Sequence, residues 1–352
     1  MVSFPDPRAS HPYHMHDMIR SQPGFAAETL RRVAEVAAES FLGSARRLVI
    51  TGCGTSFHAA CYGARVLGAA MGPRVLAEPI QAYDLLHGPP IDADVSVVGV
   101  SHSGNTATTN RALSRARRSG GAVLGMSGLP DTPMQGIADR TLVIGSTHDR
   151  SWANTMSYTT QLTAFAALAA RLGGPTWRPV ARGLRELPSA LESALDCESA
   201  VRRLARSVAR RERVTFVGSG LDEITALEAA LKIRETCSLP ASGYHIEQLL
   251  HGPFLSLSRD DSIVALLSRE DRGRTDKILE GLAGTGARVT RVGGGPGVQI
   301  PLPSIHHVLR PIVSVVPLQF LAYYAALERK ADPDIMRSDV ARYQKGLALL
   351  FT

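Results

Sequence analysis

Glu228, Lys232 and Glu235 fall four and three residues apart in the segment Ile224–Ser238, and His251 follows ahead of Gly252-Pro253. On a helix the three share one face. Their neighbours are largely Ala, Leu and Ile, so this helix is expected to pack on more than one side. A carboxylate that moves a proton between adjacent carbons needs partial burial, which lifts its pKa toward neutrality. A nearby ammonium stabilises a developing oxyanion. A histidine can protonate a ring oxygen near neutral pH. The spacing alone also fits an i,i+4 Glu–Lys pair on a wet helix face, worth a few tenths of a kcal/mol. His251 alone also fits an ordinary turn histidine.

A second group of residues is suited to an anion. Val95–Ser101 is a short, β-branched apolar run, which reads as a strand buried on both faces. It breaks into Ser101-His102-Ser103-Gly104-Asn105-Thr106 where a helix begins. A helix N-terminus offers unpaired N–H groups and a positive dipole end. Upstream, Leu48-Val49-Ile50 runs into Thr51-Gly52-Cys53-Gly54-Thr55-Ser56, another strand ending in glycines and hydroxyls at a helix start. Hydroxyl-rich caps are common, so each loop alone also fits a simple cap. An anion cradle together with the Glu–Lys–Glu–His set is an apparatus for aldose–ketose interconversion of a phosphorylated sugar.

The elements that must position these groups alternate strand and helix, which predicts α/β architecture with doubly wound parallel sheets flanked by helices. Helical spacing covers Ala26–Ser40, Ala60–Ala70, Arg111–Arg118 and Thr159–Leu172. Further strands are expected at Arg74–Glu78, Ala122–Met126 and Thr141–Ile144. The pattern then returns. Val214–Val217 echoes Leu48–Ile50, Ser262–Ser268 echoes Val95–Ser101, and Ala287–Val292 echoes Ala122–Met126. The apolar run beginning at Gln319 echoes the one beginning at Gln161. Four matches in one order, about 160–170 residues apart, indicate an internal duplication. In the second copy Ser268 runs into Arg269-Glu270-Asp271, so only the first keeps the hydroxyl loop. The expected organisation is a patternless leader over 1–24, a first domain over 25–174, linker helices over 175–210, a second domain over 211–330 and a tail over 331–352.

Composition excludes several classes. The 352 residues carry a net charge of +7 and four cysteines without CxxC spacing, which argues against a zinc site or a disulfide framework. The Arg-rich run between Arg202 and Arg213 lacks interleaved aromatics and any recognition motif, so it reads as a solvated helix face rather than a nucleic-acid surface. His11, His14 and His16 read as incidental to a leader. No signal peptide and no membrane-spanning apolar run are expected, which points to a reduced, cytoplasmic, soluble protein.

These motifs resemble the tandem SIS (sugar isomerase) domain family, and within it the isomerase half of glucosamine-6-phosphate synthase and stand-alone SIS-type glucosamine-6-phosphate deaminases. GCGTS at 52–56 and SHSGNT at 101–106 are similar to the family's CGTS and SQSGET loops. ALEAALKIRE at 226–235 with HGP at 251–253 is similar to its ALEGALKLKE…HGP segment. VPLQFLAYYAAL at 316–327 is similar to VPLQLLAYHVAL. The resemblance implies that Cys53, Gly54, Thr55, Ser56, Ser101, His102, Ser103 and Thr106 hold the phosphate and nearby hydroxyls, with Ala153, Glu228 and Arg342 completing the substrate site. It makes Glu235 the C1/C2 proton shuttle, with Lys232 beside it. His251 would assist ring opening from a neighbouring subunit, which implies a homodimer with shared sites.

The resemblance begins near Met18, so no glutaminase half is expected. His102 stands in place of Gln, and Met156 in place of a lysine. No metal or organic cofactor is implied. The expected reaction is isomerising deamination of glucosamine 6-phosphate to fructose 6-phosphate and ammonia. Other phosphosugar isomerisation, a fructosamine 6-phosphate deglycase, amination with partner-supplied ammonia, and a non-catalytic sugar-phosphate sensor stand as alternatives.

Overall fold

The computed structural model describes residues 6–37, 39–43, 45–89, 91–268 and 272–350. Two helices, α1 (His14–Arg20) and α2 (Gln22–Glu35), and a short turn α3 (Glu39–Leu42) lead into the first sheet. That sheet comprises β1 (Arg47–Gly52), β2 (Leu76–Gln81), β3 (Val95–Ser101), β4 (Ala122–Ser127) and β5 (Arg140–Val143). Between and after the strands run α4 (Thr55–Met71), α5 (Ala82–His87), α6 (Ala107–Arg118), α7 (Pro133–Ile137) and α8 (Met156–Leu172). Helices α9 (Arg178–Leu195) and α10 (Glu198–Val208) lead to the second sheet. It comprises β6 (Arg213–Gly218), β7 (Ala241–His245), β8 (Asp261–Leu267), β9 (Arg288–Gly293) and β10 (Ile300–Pro301). With these go α11 (Asp222–Cys237), α12 (Ile246–Leu250), α13 (Arg272–Ala283), α14 (Arg310–Glu328) and α15 (Ala341–Leu350).

Both sheets are wholly parallel. Their orders, β2-β1-β3-β4-β5 and β7-β6-β8-β9-β10, are one topology repeated. The central registers repeat as well. Arg47↔Val95 recurs as Arg213↔Asp261, and Ser96↔Ala122 as Ser262↔Arg288, by one constant shift along the chain. The duplication read from four motif echoes is thus a duplication of strand pairing. Every residue of β3 and of β8 is buried, as continuous apolar strands covered on both faces should be.

Strand order reverses between β1 and β3. The crevice beyond the strand ends at such a point is where open α/β sheets bind ligands. The Cys53–Ser56 and Ser101–Thr106 loops leave from these two neighbouring strands. The Arg269-Glu270-Asp271 contrast in the second copy lies outside the described residues.

The repeat-related helices α8 and α14 form the heart of the molecule and are buried almost throughout. By length and composition alone α14 could cross a membrane, a test that a buried core helix also passes. Here 89% of its apolar window is buried inside the protein, where it packs against α10 and α11. The leader differs from expectation. His14–Arg20 is a helix whose Met15 and Ile19 are fully buried, and the Asp334 carboxylate accepts the N–H groups of His14 (2.8 Å) and Met15 (2.9 Å). A seven-residue helix is too short to show periodicity, and its stability comes from tertiary contacts: the burial of Met15 and Ile19 and the Asp334 carboxylate at its first turn.

Candidate active site

Glycine permits the loop after β1. A Cβ on Gly52 would lie 2.9 Å from the Ser56 carbonyl oxygen and 3.0 Å from that of Val100, so no side chain fits between the start of α4 and the end of β3. Gly54 then takes a φ of +55° and α4 starts at Thr55 with no acidic residue in its first turn. After β3, Gly104 turns at φ +62° against Thr132, and the Asn110 amide donates to the Gly104 carbonyl at 3.0 Å. Cys53 Sγ meets Thr109 Oγ1 at 3.6 Å and links the first loop to the first turn of α6.

The loop hydroxyls share a bonding pattern. Ser56 Oγ accepts from the Gln161 amide at 3.1 Å. Ser103 Oγ accepts from the Asn105 N–H at 3.2 Å. Ser101 and Thr106 bond each other at 3.0 Å, so one of the two has accepted. Each accepting hydroxyl keeps its own hydrogen, and a guest with only acceptor oxygens suits that arrangement. The starts of α4 and α6 add backbone donors. Neither loop contains Lys or Arg. His102 supplies no charge either, because burial drives its imidazole down to about 4.

The second group crosses from one sheet to the other. Lys232 Nζ donates to Glu235 Oε2 at 2.6 Å and to Thr55 Oγ1 at 2.9 Å, approaches Glu228 Oε1 at 3.2 Å, and donates to the Ala153 carbonyl. Thr55 Oγ1 in turn donates to Glu228 Oε1 at 3.1 Å. Its hydroxyl is therefore committed to the cluster, and what Thr55 can offer a phosphate is its backbone at the helix start. Glu228 Oε2 lies 2.7 Å from His58 Nδ1, where an ionised carboxylate can only accept. Arg65 of α4 clamps the joint by donating to the Gly220 carbonyl at 2.7 Å and to Glu223 at 2.8 Å.

The wet-face alternative for Glu228 and Lys232 is overturned, since both side chains are 0% exposed; Glu235 is 17% exposed. Burial favours the neutral form of each, and neighbouring charges decide the outcome. For Glu228 burial pushes up, but Lys232 and His58 outweigh it and hold the carboxyl below its ordinary range. For Lys232 burial pushes down, and Glu228 with Glu235 outweighs it and raises the ammonium. For Glu235 burial wins with help from Glu228, against Lys232, and its pKa is raised. The result is a fixed ion pair beside a partly exposed carboxyl poised to exchange a proton.

Two expected residues stand apart from this cluster within the chain. His251 is exposed at the end of α12, its backbone N–H bonded to Gln248. Arg342 is exposed on α15, with its guanidinium over the Tyr343 ring at 5.2 Å. A cavity of about 310 Å³ is lined by Arg213, Arg234, Ser242, Tyr244 and Ser256 among others, and belongs to neither group. Sequence reading missed His58, Gln161 as the orienter of Ser56, and Asp149. His58 carried one signal, lying three residues after Thr55 and so on the same side of α4.

The sequence model of the SIS domain family matches residues 41–171 and 207–329, one match on each sheet. The chain belongs to the SIS domain family. It is 31% identical over 349 residues to a glutamine–fructose-6-phosphate aminotransferase (isomerizing) of Gloeobacter violaceus, covering 91% of this chain and 56% of that protein. The chain thus spans about half the length of the curated relatives it matches. Its fold is similar to the C-terminal domain of glucosamine-fructose-6-phosphate aminotransferase from Francisella tularensis, with a TM-score of 0.85 at 21% identity, over 94% of this chain and 99% of that one. It is also similar to glucosamine-6-phosphate deaminase from Thermotoga maritima, with a TM-score of 0.75 at 18% identity, over 92% and 97%.

Proposed function

We propose that this chain is an aldose–ketose isomerase of hexosamine 6-phosphates that converts glucosamine 6-phosphate to fructose 6-phosphate and ammonia. The observation that carries the reading is the partly exposed Glu235, its pKa raised, held 2.6 Å from a buried Lys232 that also touches the first residue of the phosphate-loop helix. The phosphate sits among the hydroxyls of Ser56, Ser101, Ser103 and Thr106. Ring opening exposes the C1 aldehyde, assisted by His251 of a second copy in a homodimer.

Glu235 takes the C2 proton, and the electron pair moves toward O1, facing the Lys232 ammonium. Return of the proton to C1, with one amine proton passing from nitrogen to O1, leaves a hydroxyl at C1 and an imine at C2. Water adds there, the C–N bond breaks, and ammonia leaves with the carbonyl formed at C2. No external oxidant or reductant is needed. We place the protein in the cytoplasm, a compartment that keeps thiols reduced.

The sensor alternative is disfavoured by cost. Burying a Lys with two carboxylates brings little or no net stability, so a chain that only senses would gain nothing from it. The test is turnover of glucosamine 6-phosphate by the purified protein, reading ammonia and fructose 6-phosphate together. Equal rates of both support the reading. Ketose without ammonia from a different phosphosugar moves it to simple isomerisation. Binding without turnover of any phosphosugar overturns it.

A further inference from the structure

His102 sits between two hydroxyls of the phosphate loop, yet its ring addresses the protein. It is buried, and a Cβ on Gly128 would fall 2.0 Å from its Nδ1, so the imidazole takes the space a side chain there would need. Nε2 faces the Thr147 carbonyl at 3.2 Å and the Asp149 N–H at 3.1 Å. Asp149 is the organiser of the segment leading into α8. Its carboxylate accepts from the N–H groups of Ser151 (3.3 Å) and Ser157 (3.0 Å) and from the Ser157 hydroxyl (3.1 Å). Ser151 Oγ accepts the N–H of Ala153 at 3.3 Å, and the Ala153 carbonyl accepts from Lys232 Nζ.

His102, Asp149, Ser151, Ala153 and Lys232 are all buried. The bonded path is therefore shielded from competing water, and each link constrains the next.

We propose that His102 is a positioning residue that ties the phosphate loop to Asp149 and, through Ser151 and Ala153, sets Lys232 Nζ against Glu235. The proposal rests on the reading of Glu235 and Lys232 as the proton-transfer pair. It gives the substrate's phosphate a structural link to the base other than Thr55. A ring at this position that acted on the sugar itself would be expected to control affinity. One that acts through Lys232 controls the chemical step.

The test compares wild type with His102→Ala, His102→Leu and His102→Gln. Leu fills the slot without a polar atom. Gln can both donate to the Thr147 carbonyl and accept from the Asp149 N–H. Amide hydrogen exchange on the unliganded proteins comes first. Ala and Leu should speed exchange at 149–157 and also in α11 around 228–235, while Gln restores protection. With glucosamine 6-phosphate, kcat should fall roughly 10- to 100-fold in Ala and Leu, with KM changed less than about threefold.

Glu235 is faced by Lys232, Glu228 and His58, and only the first and last hold its pKa down. A displaced Lys232 therefore moves the acid limb of kcat to higher pH, which simple loosening of a loop does not do. Exchange confined to 147–149, or a raised KM with kcat intact, overturns the proposal. Absence of turnover in wild type overturns the functional reading instead. The exchange pattern in α11 then still decides the positioning role, supporting it by spreading there and overturning it by not doing so.

Discussion

Lys232 Nζ lies 2.9 Å from Thr55 Oγ1, so the central cation of the second sheet's helix α11 touches the first residue of α4, the helix that follows the β1 loop of the first sheet. The site exists because two copies of one topology face each other and each contributes a different half. The first copy contributes loops without charged side chains. The second contributes α11, whose own first turn carries Asp222 and Glu223 and so does not favour an anion.

Glu235→Gln removes the proton acceptor while keeping size and polarity. Turnover should drop by roughly 10²- to 10⁴-fold, while a thermal-shift titration with fructose 6-phosphate still reports binding. Wild-type turnover in this variant ends the assignment of Glu235.

Glu228→Gln leaves Lys232 without its fully buried counter-charge and with only the partly exposed Glu235. Denaturant unfolding should show a loss of about 3 kcal/mol. Since Glu228 also pushes the Glu235 pKa up, the acid limb of kcat should move to lower pH in the same variant. An unchanged limb means the two carboxylates do not sense each other.

The pH dependence of stability has opposite signs for the two carboxylates. The Glu228 pKa is lowered on folding, so its contribution is complete above the ordinary 4.5 and is lost as pH falls through the lowered value. The Glu235 pKa is raised, so its contribution is complete below 4.5 and is lost as pH rises through the raised value. Wild-type kcat needs the ionised base, so its acid limb should lie above 4.5. Unfolding curves and rates measured across pH 3 to 8 check both (roughly the range over which carboxylates respond).

Ser101→Ala with Thr106→Val removes both members of the hydroxyl pair. Each hydrogen bond to a charged group is worth about 1.5–3 kcal/mol, so KM should rise by at least tenfold (roughly 1.4 kcal/mol) with a smaller effect on kcat. A fall in kcat at unchanged KM would remove these hydroxyls from phosphate binding.

His251 is exposed in the single chain, and the proposed dimer brings it to a second copy's Glu235. Mixing inactive Glu235→Gln with inactive His251→Ala protein should regenerate activity, because mixed dimers contain one intact site. Failure of the mixture, with subunit exchange verified by mass, rules out a shared site.

The local parts were legible in the order of the residues. Apolar runs and their glycine-hydroxyl ends located the strands flanking the crevice, and the spacing of Glu228, Lys232 and Glu235 put them on one helix face. The echoes between the halves anticipated a repeat that the strand registers display. Helix bounds were less legible: α2 runs over Gln22–Glu35 rather than 26–40, because Pro23 sits at its first turn and α2 gives way to an extended Val36. Packing between the two halves makes Glu228 and Lys232 dry, pairs His58 with one of them, and commits the Thr55 hydroxyl to both. Tertiary contacts also fold the leader under Asp334, and Arg342 stays on the surface of the single chain. Periodicity reports which residues share a face, whereas burial and partners across more than a hundred residues depend on what packs against that face.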